Sequence, residues 1–364
     1  MSNFNLYTSN RLEILGEELA GVLRHPLSSP LQQEVILVQS KGMERWVSME
    51  LARQNGICAN CRFPFPNHFV HALFREVIPG LEEASPFAPE IMTWKVMKTL
   101  PLNLKKKGFE TLRNYLSEGT ADLKLFQVSQ RIADLYDQYL LFRPDMVLGW
   151  EKGEENHWQA ALWREVAKGV EKKHRAALKG IFLEAIRNPG GKLENLPERI
   201  AVFGISALPP FHMEILSCIS RLTEVNLFLM NPCREYWGNL LTRRETRKVQ
   251  EKARKKDAKP EDLHLDQGNT LLASMGMLGR DFFELILGLE TKQQDFFADP
   301  GEENLLTAIQ GDILELRDRS LSRNRKKNSR TLTLTTLAEY QRPSVVKKVV
   351  RNTSGTLNPS TPTR

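Results

Sequence analysis

Val35, Ile36, Leu37 and Val38 are four consecutive apolar residues, three of them β-branched. A strand with one face in water alternates apolar with polar; an unbroken run requires burial on both faces. Such a strand belongs in a parallel sheet covered by helices on either side, so the chain is expected to be α/β. The flanking sequence agrees. Residues 5–8 read as a short strand and Ser9-Asn10 as a turn, with either residue a suitable N-cap. A helix is expected over 11–23, with Leu12, Leu15, Leu19 and Leu23 on one stripe. Gly42 then introduces a helix over 43–53.

Residues 88–188 read as helix after helix without a strand. The strongest is 122–142. Leu125, Val128, Ile132, Leu135 or Tyr136, and Tyr139 form its apolar face; Gln127, Arg131, Asp134 and Gln138 form the opposite one. The α/β pattern returns with a β-branched strand at 200–205, a helix from Pro209-Pro210 to about residue 222, and a strand at 225–230 ended by Asn231-Pro232. Residues 241–260, with nine bases and three acids, read as an exposed helix or loop. Helices are expected over about 270–288 and 302–317. The expected domains are 1–85 plus 195–319 as a discontinuous α/β domain, 86–194 as an all-helical insertion, and 320–364 as a basic low-complexity tail.

The net charge of +7 and the pI near 9.2 belong to that tail. Residues 320–364 hold ten Lys/Arg against one acid, whereas residues 1–319 hold 41 Lys/Arg against 43 Asp/Glu. The high pI therefore does not describe a basic surface on the folded part. The tail has fourteen Ser/Thr in 45 residues and no sustained apolar period, so it cannot bury enough surface to fold alone. No apolar run approaches the ~20 residues needed to span a bilayer. The first residues lack a signal-peptide pattern, and four cysteines do not make a disulfide scaffold. A cytoplasmic protein is expected.

No catalytic motif emerges. Cys58 and Cys61 form a C-x-x-C, with His68 and His71 following at helical spacing. The intervening Phe-Pro-Phe-Pro-Asn makes a poor zinc finger, so no metal site is expected. Gly204-Ile205-Ser206-Ala207-Leu208 approaches the nucleophile elbow, but Leu208 replaces its second glycine. Ser206 is expected to cap the turn instead. No P-loop exists: Gly191-Lys192 is followed by Leu193, and position 186 is Ile. The first strand-to-helix turn, Ser9-Asn10-Arg11-Leu12, has neither the glycine nor the lysine that a phosphate cradle needs. ATP hydrolysis is not expected. Basic residues lie near aromatics around Trp46 (Lys41, Arg45) and around His174 and Arg175.

Eight blocks, in order, resemble one family. They are VILVQSKGMERW (35–46), GICANCRFPFPNHFVHALF (56–74), MTWKVM (92–97), LFQVSQRIADLYDQYLLFRPD (125–145), FGISALPP (203–210), NPCREYWG (231–238), NTLLASMGMLGRDFF (269–283) and IQGDILEL (309–316). The family is that of the RecC subunits of the RecBCD helicase–nuclease, exodeoxyribonuclease V. The resemblance covers residues 1 to about 319 and only the N-terminal part of those longer chains.

It implies an inactive, RecA-like superfamily 1 helicase fold that has lost its ATP motifs and holds DNA while RecB and RecD move it. ATP and Mg are implied only for those partners. A tunnel is also implied, in which the unwound 3′ strand is scanned for the Chi sequence. The family's scanning positions fall on Gln39, Lys41, Arg45, Phe65, His71, Asp134, Leu135, Asp137, Gln138, Arg143 and Arg175. At three of these the chain departs from the family, which tends to carry Thr at Lys41, Gln at Arg45 and Trp at His71. A self-contained α/β enzyme is the competing class, but it needs a convergent nucleophile, base or phosphate loop. A truncated, non-functional RecC fragment is a third reading, suggested by the change of texture near Arg319. Limited proteolysis should remove the tail first and leave cooperative melting intact; a compact, protease-resistant tail would contradict its composition.

Overall fold

A computed structural model of the chain describes residues 3–318, apart from 30, 118–120, 188–194, 243, 246 and 249–267. The tail, Gly191-Lys192 and most of the charged stretch 241–260 lie outside the described residues.

The strands are β1 (Phe4–Ser9), β2 (Glu34–Leu37), β3 (Cys61–Arg62), β4 (Arg199–Phe203), β5 (Glu224–Met230) and β6 (Lys292–Asp295). They form one sheet in the order β3-β2-β4-β5-β1-β6, with every neighbouring pair parallel. The α/β expectation is met. Register explains the unbroken apolar runs. Phe4 and Leu6, Val35 and Leu37, Ile200 and Val202, and Val225, Leu227 and Leu229 enter one core. Tyr7, Ile36, Val38, Ala201, Phe203 and Phe228 enter the other. Successive residues thus serve opposite faces, and both faces are dry.

Helices α1 (Leu12–Leu23) and α2 (Lys41–Asn55) cover the second face through Leu15, Leu19, Val47 and Leu51. The first face is covered by α3 (Pro66–Val77), α9 (Arg175–Arg187), α10 (Pro210–Ile219), α11 (Thr270–Met275) and α12 (Met277–Leu287). Between α3 and α9 run α4 (Pro89–Asn103), α5 (Glu110–Leu116), α6 (Ala121–Phe142), α7 (Pro144–Lys152) and α8 (Trp158–Ala167). These five gather a separate core around Tyr136, Trp150 and Trp163. Helix α9 itself turns Leu178, Phe182 and Ile186 into the sheet's core. A last helix, α13 (Leu305–Leu314), follows β6 and begins with a capping box at Asn304 and Thr307.

Several expectations need correction. Neither Ser9 nor Asn10 caps α1, whose boundary residue is Arg11. Their side chains instead bind the chain after β6: Ser9 Oγ donates to the Phe296 carbonyl at 2.7 Å, and Asn10 exchanges two bonds with the Ala298 backbone at 2.8 and 2.9 Å. Among the described residues Ser206 makes no capping hydrogen bond; Pro209 holds the cap position of α10 and Pro210 its first turn. That helix ends at Ile219, three residues short of the expected stop. The single helix expected over 270–288 is two, divided at Gly276, where a Cβ would come within 2.6 Å of the Leu272 carbonyl oxygen. Strands β3 and β6 were not foreseen.

At the N-terminal end of β4, an interior strand, Arg199 is almost fully buried. Its guanidinium is bidentate to Glu34 and donates to the Val22 and His25 carbonyls at 3.0 and 2.8 Å. Replacing it by Met would leave Glu34 unpaired in a mostly buried site. Arg199→Met should therefore lower stability by about 3–5 kcal/mol, read from the urea midpoint.

Candidate nucleic-acid interface

The C-terminal ends of parallel strands are where side chains can leave the covered sheet. Gln39 and Ser40 form a bend after β2, and both are exposed. Ser40 Oγ accepts the Met43 amide at 3.1 Å and starts α2. Lys41 is therefore the first residue of α2. It is exposed, pairs with Glu44 at 2.6 Å, and holds its ammonium 5.8 Å from the Phe65 ring centre. Arg45 follows one turn later, exposed and without an ion pair among the described residues. Phe65 precedes α3, held extended (φ −76°, ψ 149°) by Pro66 at the helix's first position. One side chain on α2 thus meets one on the turn into α3, bringing Lys41 and Phe65 together.

A second group forms where α6 meets α9 and α10. An Arg175 guanidinium nitrogen lies 2.8 Å from Asp137 Oδ1, with the side chains only 22% and 18% exposed. The approach is off the N–H axis, so this is an ion pair without an aligned hydrogen bond. Arg175 also donates to Asn67 Oδ1 at 3.4 Å. Because Arg can only donate, Asn67 presents its oxygen here. His212 Nε2, 3.0 Å from the same oxygen, must then carry the ring proton. Nδ1 of His212 is buried and has no partner among the described residues. Burial, with Arg175 nearby, pushes the His212 pKa down to about 4, so the ring is neutral at physiological pH. Burial raises Asp137; Arg175 opposes this, while Asp134 and Glu90 reinforce it. Burial lowers Arg175 against the pull of Asp137.

The neighbouring turn fixes Arg175. His174 is fully buried, and its Nδ1 accepts the Ala177 amide at 3.1 Å, capping α9. Its Nε2 faces Glu151 at 2.9 Å, again off-axis, and Glu151 also accepts the Trp163 indole at 3.0 Å. The basic–aromatic look of His174 in the sequence is thus a helix cap inside an aromatic core.

The remaining expected residues are only partly brought to these two groups. Asp134 and Gln138 lie on α6 within one turn of Asp137, half-buried and exposed respectively. Of the alternatives Leu135 and Tyr136, it is Tyr136 that enters the core, its hydroxyl donating to the Gln159 carbonyl at 2.8 Å. Leu135 stays half-exposed. His71 Nε2 lies 3.0 Å from the Glu82 carbonyl, and the Glu82 side chain pairs with Lys173 at 2.6 Å. Arg143 is exposed at the joint of α6 and α7, and among the described residues no hydrogen bond or ion pair joins it to the others. Phe65 and Asn67 stand two residues apart, so the start of α3 links the Lys41 and Arg175 groups. Sequence reasoning missed Asn67, His212 and Glu151. Cys58 and Cys61 are free thiols beside the second core, and the Cys61 thiol is pushed up to about 12 by burial and by Cys58.

The family described as "RecC, N-terminal domain" matches residues 4–316. The chain belongs to the RecC family. It is 37% identical over 348 residues to the RecBCD enzyme subunit RecC of Escherichia coli (strain K12), covering 87% of this chain and 31% of that protein. To the subunit of the same description from Haemophilus influenzae it is 34% identical over 391 residues, covering 91% and 35%. To that of Mycolicibacterium smegmatis it is 27% identical over 343 residues, covering 90% and 29%. The chain thus spans about a third of the length of these RecC relatives.

The neutral His212 sets a pH dependence. Its folded pKa lies below the unfolded value near 6.5, so between pH 6.5 and about 4 the unfolded chain binds the extra proton. Stability should be full above about 6.5 and fall by up to ~3 kcal/mol as pH drops through that window. His212→Asn should flatten this part of a urea-stability profile against pH; an unchanged slope would remove His212 as its source.

Proposed function

We propose that this chain is the helicase-like N-terminal part of a RecC-type subunit, and that it guides single-stranded DNA without hydrolysing nucleotide. The observation that carries the reading is the pairing of two groups at one end of the sheet. One is cationic and exposed (Lys41, Arg45, beside Phe65); the other is a half-buried acid–guanidinium–amide cluster on α6, α9 and α3. Cations hold phosphates without reading sequence, whereas amides, acids and rings can meet base edges and faces. Gln39, Asp134, Leu135 and Gln138 extend the two groups, whereas His71 and Arg143 are assigned to the same path by the family resemblance alone.

A RecA-like, inactive character is supported by the parallel sheet and by the corner after β1. There, where a phosphate cradle would be built, Ser9 and Asn10 are bonded to the backbone of Phe296 and Ala298. The discontinuous α/β domain with its helical insertion belongs to the same reading. On this account the working assembly is a heterotrimer with RecB- and RecD-type subunits in the cytoplasm, which supply ATP- and Mg-dependent movement. Among the described residues no helix is long and apolar enough to cross a membrane. The unwound 3′ strand would be scanned for a Chi-type sequence as it passes.

Affinity for oligothymidylate measured against salt tests the reading. Each phosphate contact on a single strand adds about −0.7 to the log–log slope. Arg45→Gln should make the slope less negative by about that amount relative to the unsubstituted chain. Both proteins carry the same basic tail, so its contribution cancels in the difference. An identical slope removes Arg45 from the phosphate path, and absence of binding by both proteins at low salt removes the DNA-guiding role.

A further inference from the structure

Trp94 lies outside every group described so far. It is 62% exposed, whereas the other five tryptophans are buried or half-buried. It stands on α4 with its ring centre 5.8 Å from that of Phe126 on α6, the planes inclined by 47°. Exposed Leu123 lies one turn before Phe126. What sets Trp94 apart from singly exposed apolar residues is the neighbouring Phe126 ring, which makes a two-helix aromatic surface in place of an isolated side chain.

The surroundings select the partner. Phe126, Gln130, Asp134 and Asp137 follow one another on α6 at i, i+4, i+8 and i+11, so they share one stripe of the helix. The aromatic pair therefore continues the side of α6 that carries the Asp137 group. On α4, Lys98 follows Trp94 at i+4, exposed and without an ion pair among the described residues. Residues 89–137, the stripe's acids included, hold eight Lys/Arg against six Asp/Glu, in a chain whose first 319 residues are slightly acidic. The centres of protein-docking patches are depleted of charge. Rings bordered by a free cation and by amides such as Gln127 and Gln130 match the chemistry of single-strand binding, where bases stack on aromatics and cations track phosphates. A duplex keeps its base faces inside the stack, so only an unpaired strand can use an open indole face.

We propose that Trp94 and Phe126 form a stacking platform for a base of single-stranded nucleic acid, with Lys98 holding the adjoining phosphate. The proposal extends the single-strand reading above and rests on it.

The test uses the full chain, a twelve-residue oligothymidylate and an abasic strand of equal length. Oligothymidylate should quench tryptophan fluorescence saturably; the abasic strand should bind without quenching. Trp94→Phe should lose the quench yet keep affinity within about twofold. Trp94→Ala should weaken oligothymidylate binding about tenfold and leave abasic binding unchanged. If oligothymidylate binds with no quench, or Trp94→Ala binds it as tightly as the unsubstituted chain, the platform is overturned while DNA guiding stands. Equal quenching by the abasic strand also overturns it. If neither strand binds, platform and DNA guiding fall together.

Discussion

The constraint on which the rest of the molecule depends is a parallel sheet whose central strands have no wet face. Strands β2, β4, β5 and β1 alternate their apolar residues between two cores, and helices close both. A polar group inside must then bring its own partner. Asn5 donates to Asn226 at 2.8 Å, and Asn226 donates to Glu224 at 2.8 Å. Elsewhere polar chemistry is pushed to the strand ends. Arg199 and Glu34 occupy one end; the bend at Gln39, the start of α2 and the turn into α3 occupy the other. The candidate site is therefore a product of the sheet's dryness as much as of its own residues.

The two ends of that site differ in physical kind. Lys41 and Arg45 stand in water, where ions in solution screen them and their contacts weaken as salt rises. Asp137 and Arg175 are mostly withdrawn from water, with Asn67 and the neutral His212 behind them. Screening is weak there, and the Asp134 and Glu90 charges act on Asp137 across the protein. Capping by His174 keeps Arg175 at the mouth of α9. On the proposed reading, the wet end sets how strongly a strand is held and the drier end sets how it is oriented.

The elements legible in the sequence were those with a strong period. Val35–Val38 and residues 225–230 could only be buried strands, and α6 was readable to within one residue at its start. Strand β6, Lys292–Asp295, was not, because it is an exposed edge strand of Lys-Gln-Gln-Asp with no apolar signal at all. The Gly276 break was hidden because the apolar period continues through it. Among the site residues, the polar stripe of α6 was visible. Its partnership with Arg175 through Asn67 was not, since Asn67 lies 108 positions from Arg175 and 145 from His212. Ser9 and Asn10 had the right chemistry for a helix cap and were taken by a backbone 287 and 288 positions away. For Ser9 and Asn10 the miss is a tertiary contact outcompeting a local preference.

The place of β1 governs how such a chain can be made. Strand β1 lies between β5 and β6, and its nearest pairing partner, Val225 opposite Phe4, is 221 positions later. At typical synthesis rates, residues 4–9 wait about 10–40 s before any strand they can pair with exists. During that time Phe4, Leu6 and Tyr7, all buried in the finished sheet, have no sheet to enter. Long-range closure of this sort is slow and leaves apolar surface open to other chains. Strand β1 therefore completes this sheet instead of nucleating it, and its apolar residues stay uncovered until β5 has been made.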